Sequence, residues 1–329
     1  MTPTYPFDLR HQVHRSTFVS NGVTCSATLR IPMHDHTSRT FPAVLMAHGW
    51  GSTQMSLLPP FYERFLELGF AVMTFDYRGW GQSEGEPRYV ISVSDRLDDV
   101  RAALGHIRAD PMIDPNGIVL WGSSLGGGHV CSIAARDNHL LGVIAQVPML
   151  DGQAASVIMP LGQKLKFATW ALYDLIGSKW FGRPPYYIPV TSKPGERGTM
   201  SRDGAHEARE RGEQLYGRHT PNKIAARSIL TLGTYRPVRD LHEIQAPTLI
   251  VWGRQDTVAP FNRHAVDACN NPRMRVVAID ADHFAPYFQP MVDRNLGIQS
   301  DFLRTRYDDW HRRSETITSG GLPNASHPI

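Results

Sequence analysis

The 329-residue chain is 41% hydrophobic and 20% charged, proportions of a globular protein with room for one large α/β domain plus an insertion, or for two modest domains. A net charge of +3 without basic runs interleaved with aromatics gives no ground for a nucleic-acid surface. No stretch approaches the ~20 apolar residues that span a bilayer. Residues Met1 to Ser16 show no apolar secretory core, and the three cysteines, Cys25, Cys131 and Cys269, are odd in number and far apart; both point to a reducing cytoplasm, with neither a disulfide framework nor a zinc site.

In chain order, His14 to Ser20 and Cys25 to Ile31 alternate in polarity across Asn21-Gly22, a strong hairpin turn signal, so an antiparallel hairpin is expected first. The pattern then changes to short, continuous apolar runs at Ala43 to Ala47, Ala71 to Phe75, Ile118 to Trp121 and Val143 to Val147. Such runs suit parallel strands buried on both faces. Helical periodicity lies between them, at Pro60 to Leu68, Val93 to Ile107 and Leu125 to Ala135. Strands alternating with helices predict right-handed crossovers and a doubly wound, mostly parallel sheet. The alternation breaks off near Asp151 and resumes with strands at Thr248 to Trp252 and Arg275 to Ile279, a helix at about Phe261 to Cys269 between them, and a last helix over about Met291 to Trp310.

Residues 1–151 and 241–313 are therefore expected to form the α/β core, 152–240 a mainly helical cap insertion, and 314–329 a disordered tail rich in Ser, Gly, Pro and Asn. The insertion holds 14 Lys/Arg against 7 Asp/Glu, a balance of +7; since the whole chain is +3, the remainder is −4. This asymmetry either steers an anionic substrate or belongs to a solvated helix face, and the second reading is favoured.

The sharpest chemical signal is Gly122-Ser123-Ser124-Leu125-Gly126, which follows a buried strand and opens a helix. A serine on so tight a turn needs small neighbours two positions before and after it, and its hydroxyl projects above the sheet. Ser123 lacks glycines at those offsets, so Ser124 is the expected nucleophile. A serine hydroxyl is nearly un-ionised at neutral pH and needs a base. His283, after the last strand, is placed to serve, with Asp256 on the loop after Thr248 to Trp252 to orient it. Asp151 is the rival acid, whereas Asp280 and Asp282 read as turn formers. His48-Gly49-Trp50-Gly51-Ser52 follows the strand Ala43 to Ala47; backbone N–H groups of Trp50 and Leu125 would form an oxyanion hole, with the His48 ring anchoring the loop.

With these residues in place, the chain resembles the α/β-hydrolase superfamily from roughly Thr17 to Trp310, excepting the insertion. Asp76-Tyr77-Arg78-Gly79-Trp80-Gly81-Gln82-Ser83 looks like the family's D-x-R-G-x-G-x-S loop, a structural signature. At finer grain, Trp121 to Val130, Ala145 to Pro148 and Asp151-Gly152 are similar to a branch that includes polyketide transferases and thiohydrolases, near dienelactone-hydrolase and X-Pro dipeptidyl-peptidase relatives. The resemblance implies a serine hydrolase that cleaves a small-molecule carboxylic ester or thioester through an acyl-enzyme. The alternatives are an acyltransferase using the same triad and a ligand-binding protein with little turnover. No cofactor or metal is expected, nor a nucleic-acid or membrane partner, while a homo-oligomer is left open. Among the insertion's aromatics (Phe167, Trp170, Trp180, Phe181, Tyr186 and Tyr187), Trp180, Tyr186 and Tyr187 are the candidates for substrate contact.

Overall fold

The computed structural model describes residues 11–33, 40–157, 159–217 and 220–319. It opens with strands β1 (His11–Ser20) and β2 (Val23–Pro32), paired antiparallel from Ser20–Val23 to His11–Pro32. Asn21 and Gly22 turn between them with φ of 47° and 80°, the left-handed pair that a two-residue hairpin matched to strand twist requires. The core continues as β3 (Phe41–Ala47), α1 (Pro59–Glu67), β4 (Ala71–Phe75), α2 (Val93–Arg108), β5 (Ile113–Ser123), α3 (Leu125–Ala134) and β6 (Gly142–Gln146). After the insertion come β9 (Thr248–Gly253), α7 (Arg263–Asp267), β10 (Met274–Ile279) and α8 (Met291–Ser319). The main sheet has the order β1-β2-β4-β3-β5-β6-β9-β10; β1 and β2 are antiparallel to their neighbours and the rest run parallel.

Both faces of this sheet are covered, which is why its central strands read as unbroken apolar runs. Along β3, Ala43, Leu45 and Ala47 join the cluster that contains Val100, Leu104 and Ile107 of α2 and Val130 of α3. Val44 and Met46 point the other way, among Phe61 and Phe65 of α1 and Leu303 of α8. Because β6 pairs directly with β9 (Val143 with Thr248, Ala145 with Ile250), the intervening residues form an excursion above the strand ends. They comprise α4 (Gly152–Val157), α5 (Leu161–Phe181), β7 (Tyr187–Ile188), α6 (Ala205–Tyr216), β8 (Ile224–Ala225) and two 3-10 segments.

Two elements differ from the expected ranges. The helix expected over 261–269 is the five-residue α7, whose start is fixed by Asn262 accepting the Ala265 N–H at 3.0 Å. The final helix does not stop at Trp310. It runs to Ser319, so the segment expected to be disordered is helical over 314–319; a Ser314 hydroxyl bond to the Trp310 carbonyl and a His311–Glu315 contact at 3.5 Å support that turn. The remaining tail, 320–329, lies outside the described residues. The Asp76 loop proves structural: the Asp76 carboxylate accepts the Gln54 and Gln82 N–H groups at 2.8 and 3.0 Å, and Ser83 donates back to the Asp76 carbonyl at 2.6 Å.

Candidate active site

The sequence folds into a tight elbow because two glycines let three layers touch. Ser124 sits between the end of β5 and the start of α3 with φ 56° and ψ −122°, a conformation of the kind that costs roughly 1–3 kcal/mol and is held by its surroundings. A Cβ on Gly122 would lie 2.2 Å from the Gly126 carbonyl oxygen, and one on Gly126 would lie 2.1 Å from that of Ala47. Only hydrogen fits at both. The Ser124 backbone is clamped as well, its N–H donating to Gln146 at 2.9 Å and its carbonyl accepting from Met149 at 2.9 Å.

Residues far apart in sequence meet at this turn. The His283 Nε2 lies 3.0 Å from the Ser124 Oγ, and His283 Nδ1 donates to the Asp256 Oδ2 at 2.7 Å. The other carboxylate oxygen of Asp256 accepts the N–H groups of Val258 and Ala259 at 2.9 and 2.8 Å, which fixes the acid's orientation. The side chains of His283 and Asp256 are 4% and 2% exposed, so water does not compete for the bond between them. The competing hydroxyl, Ser123, points into a buried network behind the elbow: it bonds to Tyr287 and to the Gln146 amide, which continues to Asn295 and Gln299.

The rival acid is occupied elsewhere. Asp151 is held by Arg236 through contacts of 2.8 and 3.2 Å and accepts the Ala154 N–H at the start of α4. Asp280 is exposed beside Arg254, and Asp282 accepts the N–H groups of Phe284 and Ala285 as a turn former. Leu125 begins α3 directly after Ser124. The loop carrying Trp50 packs on Ser124, since a Cβ on Gly49 would lie 3.0 Å from the Ser124 Cβ. The His48 ring is fully buried, 4.6 Å from the Tyr77 ring, with burial and the nearby Arg96 pushing its pKa well below 6.5. It therefore stays neutral and anchors the loop by packing more than by its long, 3.4 Å contact to the Gly49 carbonyl.

Sequence reasoning missed a second anchor. Arg96 on α2 is buried and its Nη1 donates to the Gly49 carbonyl at 3.0 Å. In sequence it is one of three arginines on α2, and nothing flags it.

Two cavities meet at Ser124, Trp50 and Met200. The smaller, about 100 Å³, also reaches His283; the larger, about 340 Å³, lies beneath α4 and α5. Of the insertion's aromatics only Phe167 lines either one. Trp180, Tyr186 and Tyr187, the expected substrate contacts, do not. Helix α5 buries the narrow stripe Phe167, Ala171, Asp174 and Gly177, which leaves Trp180 on the outer side, 78% exposed. Tyr186 packs against Tyr173 and Arg197, and the Tyr187 hydroxyl donates to the Arg88 carbonyl. Several basic residues of the insertion are likewise engaged: Arg209, Arg227 and Arg236 pair with Glu213, Asp174 and Asp151. No cluster of three or more His, Cys, Asp or Glu able to hold a metal ion occurs among the described residues.

This elbow, placed at the carboxyl ends of a mostly parallel eight-stranded sheet, agrees with the comparisons. A family model described as serine aminopeptidase, S33 (Hydrolase_4) matches residues 39–278. The chain belongs to this α/β-hydrolase family. The hydrolase is 37% identical over 302 residues to the quorum-quenching protein AidA of Acinetobacter baumannii, covering 92% of this chain and 95% of that protein. It is 26% identical over 247 residues to the polyketide transferase ATR5 of Stachybotrys chlorohalonatus, covering 74% and 81%. The solved α/β hydrolase GrgF from Penicillium superposes with a TM-score of 0.72 at 22% identity, covering 91% of this hydrolase and all of that chain. Among the described residues, no helix is long and apolar enough to cross a membrane.

Proposed function

We propose that this hydrolase cleaves a small-molecule carboxylic ester or thioester with Ser124 as nucleophile, His283 as general base and acid, and Asp256 as the group that orients His283. The Ser124 oxygen attacks the substrate carbonyl as its proton passes to His283 Nε2. The resulting oxyanion is received by the Trp50 and Leu125 N–H groups, in a water-poor site where fixed donors act strongly. Collapse expels the alcohol or thiol, which takes the proton from His283, and leaves the acyl group on Ser124. Water then loses a proton to His283 as it attacks the acyl-enzyme, and that proton passes to the Ser124 oxygen as the acid is released.

The observation that carries this reading is the unbroken relay from Asp256 through His283 to Ser124, at 2.7 and 3.0 Å. Both bonds fall within the reach that proton transfer demands. Butyryl and butyryl-thio ester turnover by the wild type, abolished in Ser124→Ala with the fold retained by circular dichroism, is the expected result. Turnover surviving in Ser124→Ala would refute it.

An acyl acceptor other than water gives the transferase version of the same chemistry, supported by the relatives named polyketide transferases. Product analysis with added alcohols and thiols separates the two. The three thiols, free and with Cys25 and Cys131 buried, fit a reducing compartment such as the cytoplasm.

A further inference from the structure

The two cavities at Ser124 differ in size, and only one of them contains the imidazole. The larger is lined mainly by apolar groups, among them Met149, Ala155, Met159, Phe167, Leu232 and Val258. It touches Ser124, Trp50 and Leu125 but not His283. Apart from Ser124 and Thr257, its polar members lie on the cap, where the Lys164 ammonium is turned onto the Val157 carbonyl at 3.3 Å. The smaller cavity contains His283, with Ser52, Thr191 and the ion-paired Arg209 set among the apolar Leu57, Val190 and Phe284.

Acyl transfer makes these differences directional. The departing alcohol or thiol must receive its proton from the imidazole, so it has to leave on the side where His283 is exposed. The acyl group lies on the other side of the reacting carbon. We infer that the hydrolase divides its substrate accordingly: an apolar acyl chain occupies the larger cavity beneath α4 and α5, and a small, hydrogen-bonding alcohol or thiol occupies the smaller cavity between the Trp50 loop and α6. This rests on the triad reading above and adds to it a substrate class.

Size sharpens the assignment. An apolar cavity of about 150 Å³ holds a benzene ring, or about 25 Å³ per carbon, so 340 Å³ takes on the order of a dozen carbons. The 100 Å³ cavity takes only about four heavy atoms by the same measure. Medium acyl chains on a leaving group of about four heavy atoms, the size of ethylene glycol, are the substrates that fit.

The test measures kcat/KM for ethylene glycol monoesters of acids from C2 to C10, and for butyrate esters of methanol, ethylene glycol and benzyl alcohol. Each CH₂ that enters an apolar cavity is worth up to about four-fold. The expected wild-type profile therefore rises on the order of 50-fold or more from C4 to C8, while benzyl butyrate is poorer than 2-hydroxyethyl butyrate. Ala155→Phe, from α4, and Leu230→Trp, at a 45% exposed rim position of the larger cavity, each lower the C8-to-C2 ratio at least ten-fold and leave the order of the alcohols unchanged. Two variants from different elements guard against misfolding of either one. A flat acyl profile in an enzyme still labelled at Ser124 overturns the division alone. So does an Ala155→Phe effect confined to the alcohol series, which would mean the cavities are assigned the wrong way round. Absence of turnover for every ester, with Ser124 unlabelled, overturns the triad reading and this inference with it.

Discussion

Replacing Arg96 by methionine removes the hydrogen bond that fixes the Gly49 carbonyl without touching Ser124, His283 or Asp256. The peptide between Gly49 and Trp50 is planar, so its C=O and the Trp50 N–H point in opposite directions. The 3.0 Å bond from Arg96 therefore turns that N–H away from the guanidinium. Deleting one oxyanion donor outright costs about 10² to 10³ in kcat. On the proposed role of the Trp50 N–H as an oxyanion donor, Arg96→Met loosens it rather than deleting it, so a loss of about 10- to 100-fold is expected, with KM little changed. Stability should behave differently. The guanidinium is fully buried, its pKa is lowered to about 10 by that burial, and its Nε and Nη2 have no hydrogen-bond partner. Its main compensations are the Gly49 bond and the face of Tyr77 at 4.3 Å. A methionine removes the desolvation cost and keeps much of the packing against Tyr77, so the change in stability should stay within about 1.5 kcal/mol. Steady-state kinetics with a short ester, alongside urea unfolding, measures both. A variant with full kcat, or one whose kcat falls only in proportion to the folded fraction, would refute the peptide-orienting role.

Asp256→Asn should lower kcat by about 10⁴ at neutral pH with the fold intact, because the amide supports the wrong imidazole tautomer; a loss below ten-fold in steady-state assays would contradict its placement. Asp151→Asn should do the opposite, destabilising by about 2–3 kcal/mol in denaturant titrations through its buried pair with Arg236 while kcat changes less than three-fold. Acid sensitivity has an assignable source. His48 and His129 are fully buried with pKa values well below 6.5, so as pH falls below about 6.5 the unfolded chain takes up protons that the folded one refuses. Each should cost about 1.4 kcal/mol per pH unit below that point, a loss that is absent above it. Equilibrium unfolding at pH 7, 6 and 5 should show a smaller slope in His48→Asn, and an unchanged slope would be the contrary result.

Much of the fold was legible because its signals are local. Asn21-Gly22 dictates a hairpin turn, and strands buried on both faces must read as apolar runs, as Ala43 to Ala47 does. Gly122 and Gly126 mark the elbow since no larger residue fits between β5, α3 and β3. The cap was less legible for a physical reason. Helix α5 buries one narrow stripe and leaves Leu161, Leu165, Leu172, Ile176 and Trp180 exposed, so hydrophobicity there does not report which residues face a cavity. Met200, Thr191 and Arg209 reach the site from loops and from α6 without any sequence pattern. Arg96 and Tyr287 act through contacts 47 and 164 residues away in sequence, to Gly49 and Ser123, which no motif encodes. The end of α8 was misjudged because Ser314 and Glu315 look like tail composition, yet each has a partner one turn back.

One reactive oxygen, in a chain with many serines, carries the proposed chemistry. Treating the native protein with a fluorophosphonate, then locating the adduct by peptide mass spectrometry, tests it directly. A single adduct on Ser124, formed rapidly in the wild type, slowly in His283→Ala and not at all in Ser124→Ala, is the predicted result. Modification at Ser123 or at any other residue, or undiminished labelling of His283→Ala, would contradict it.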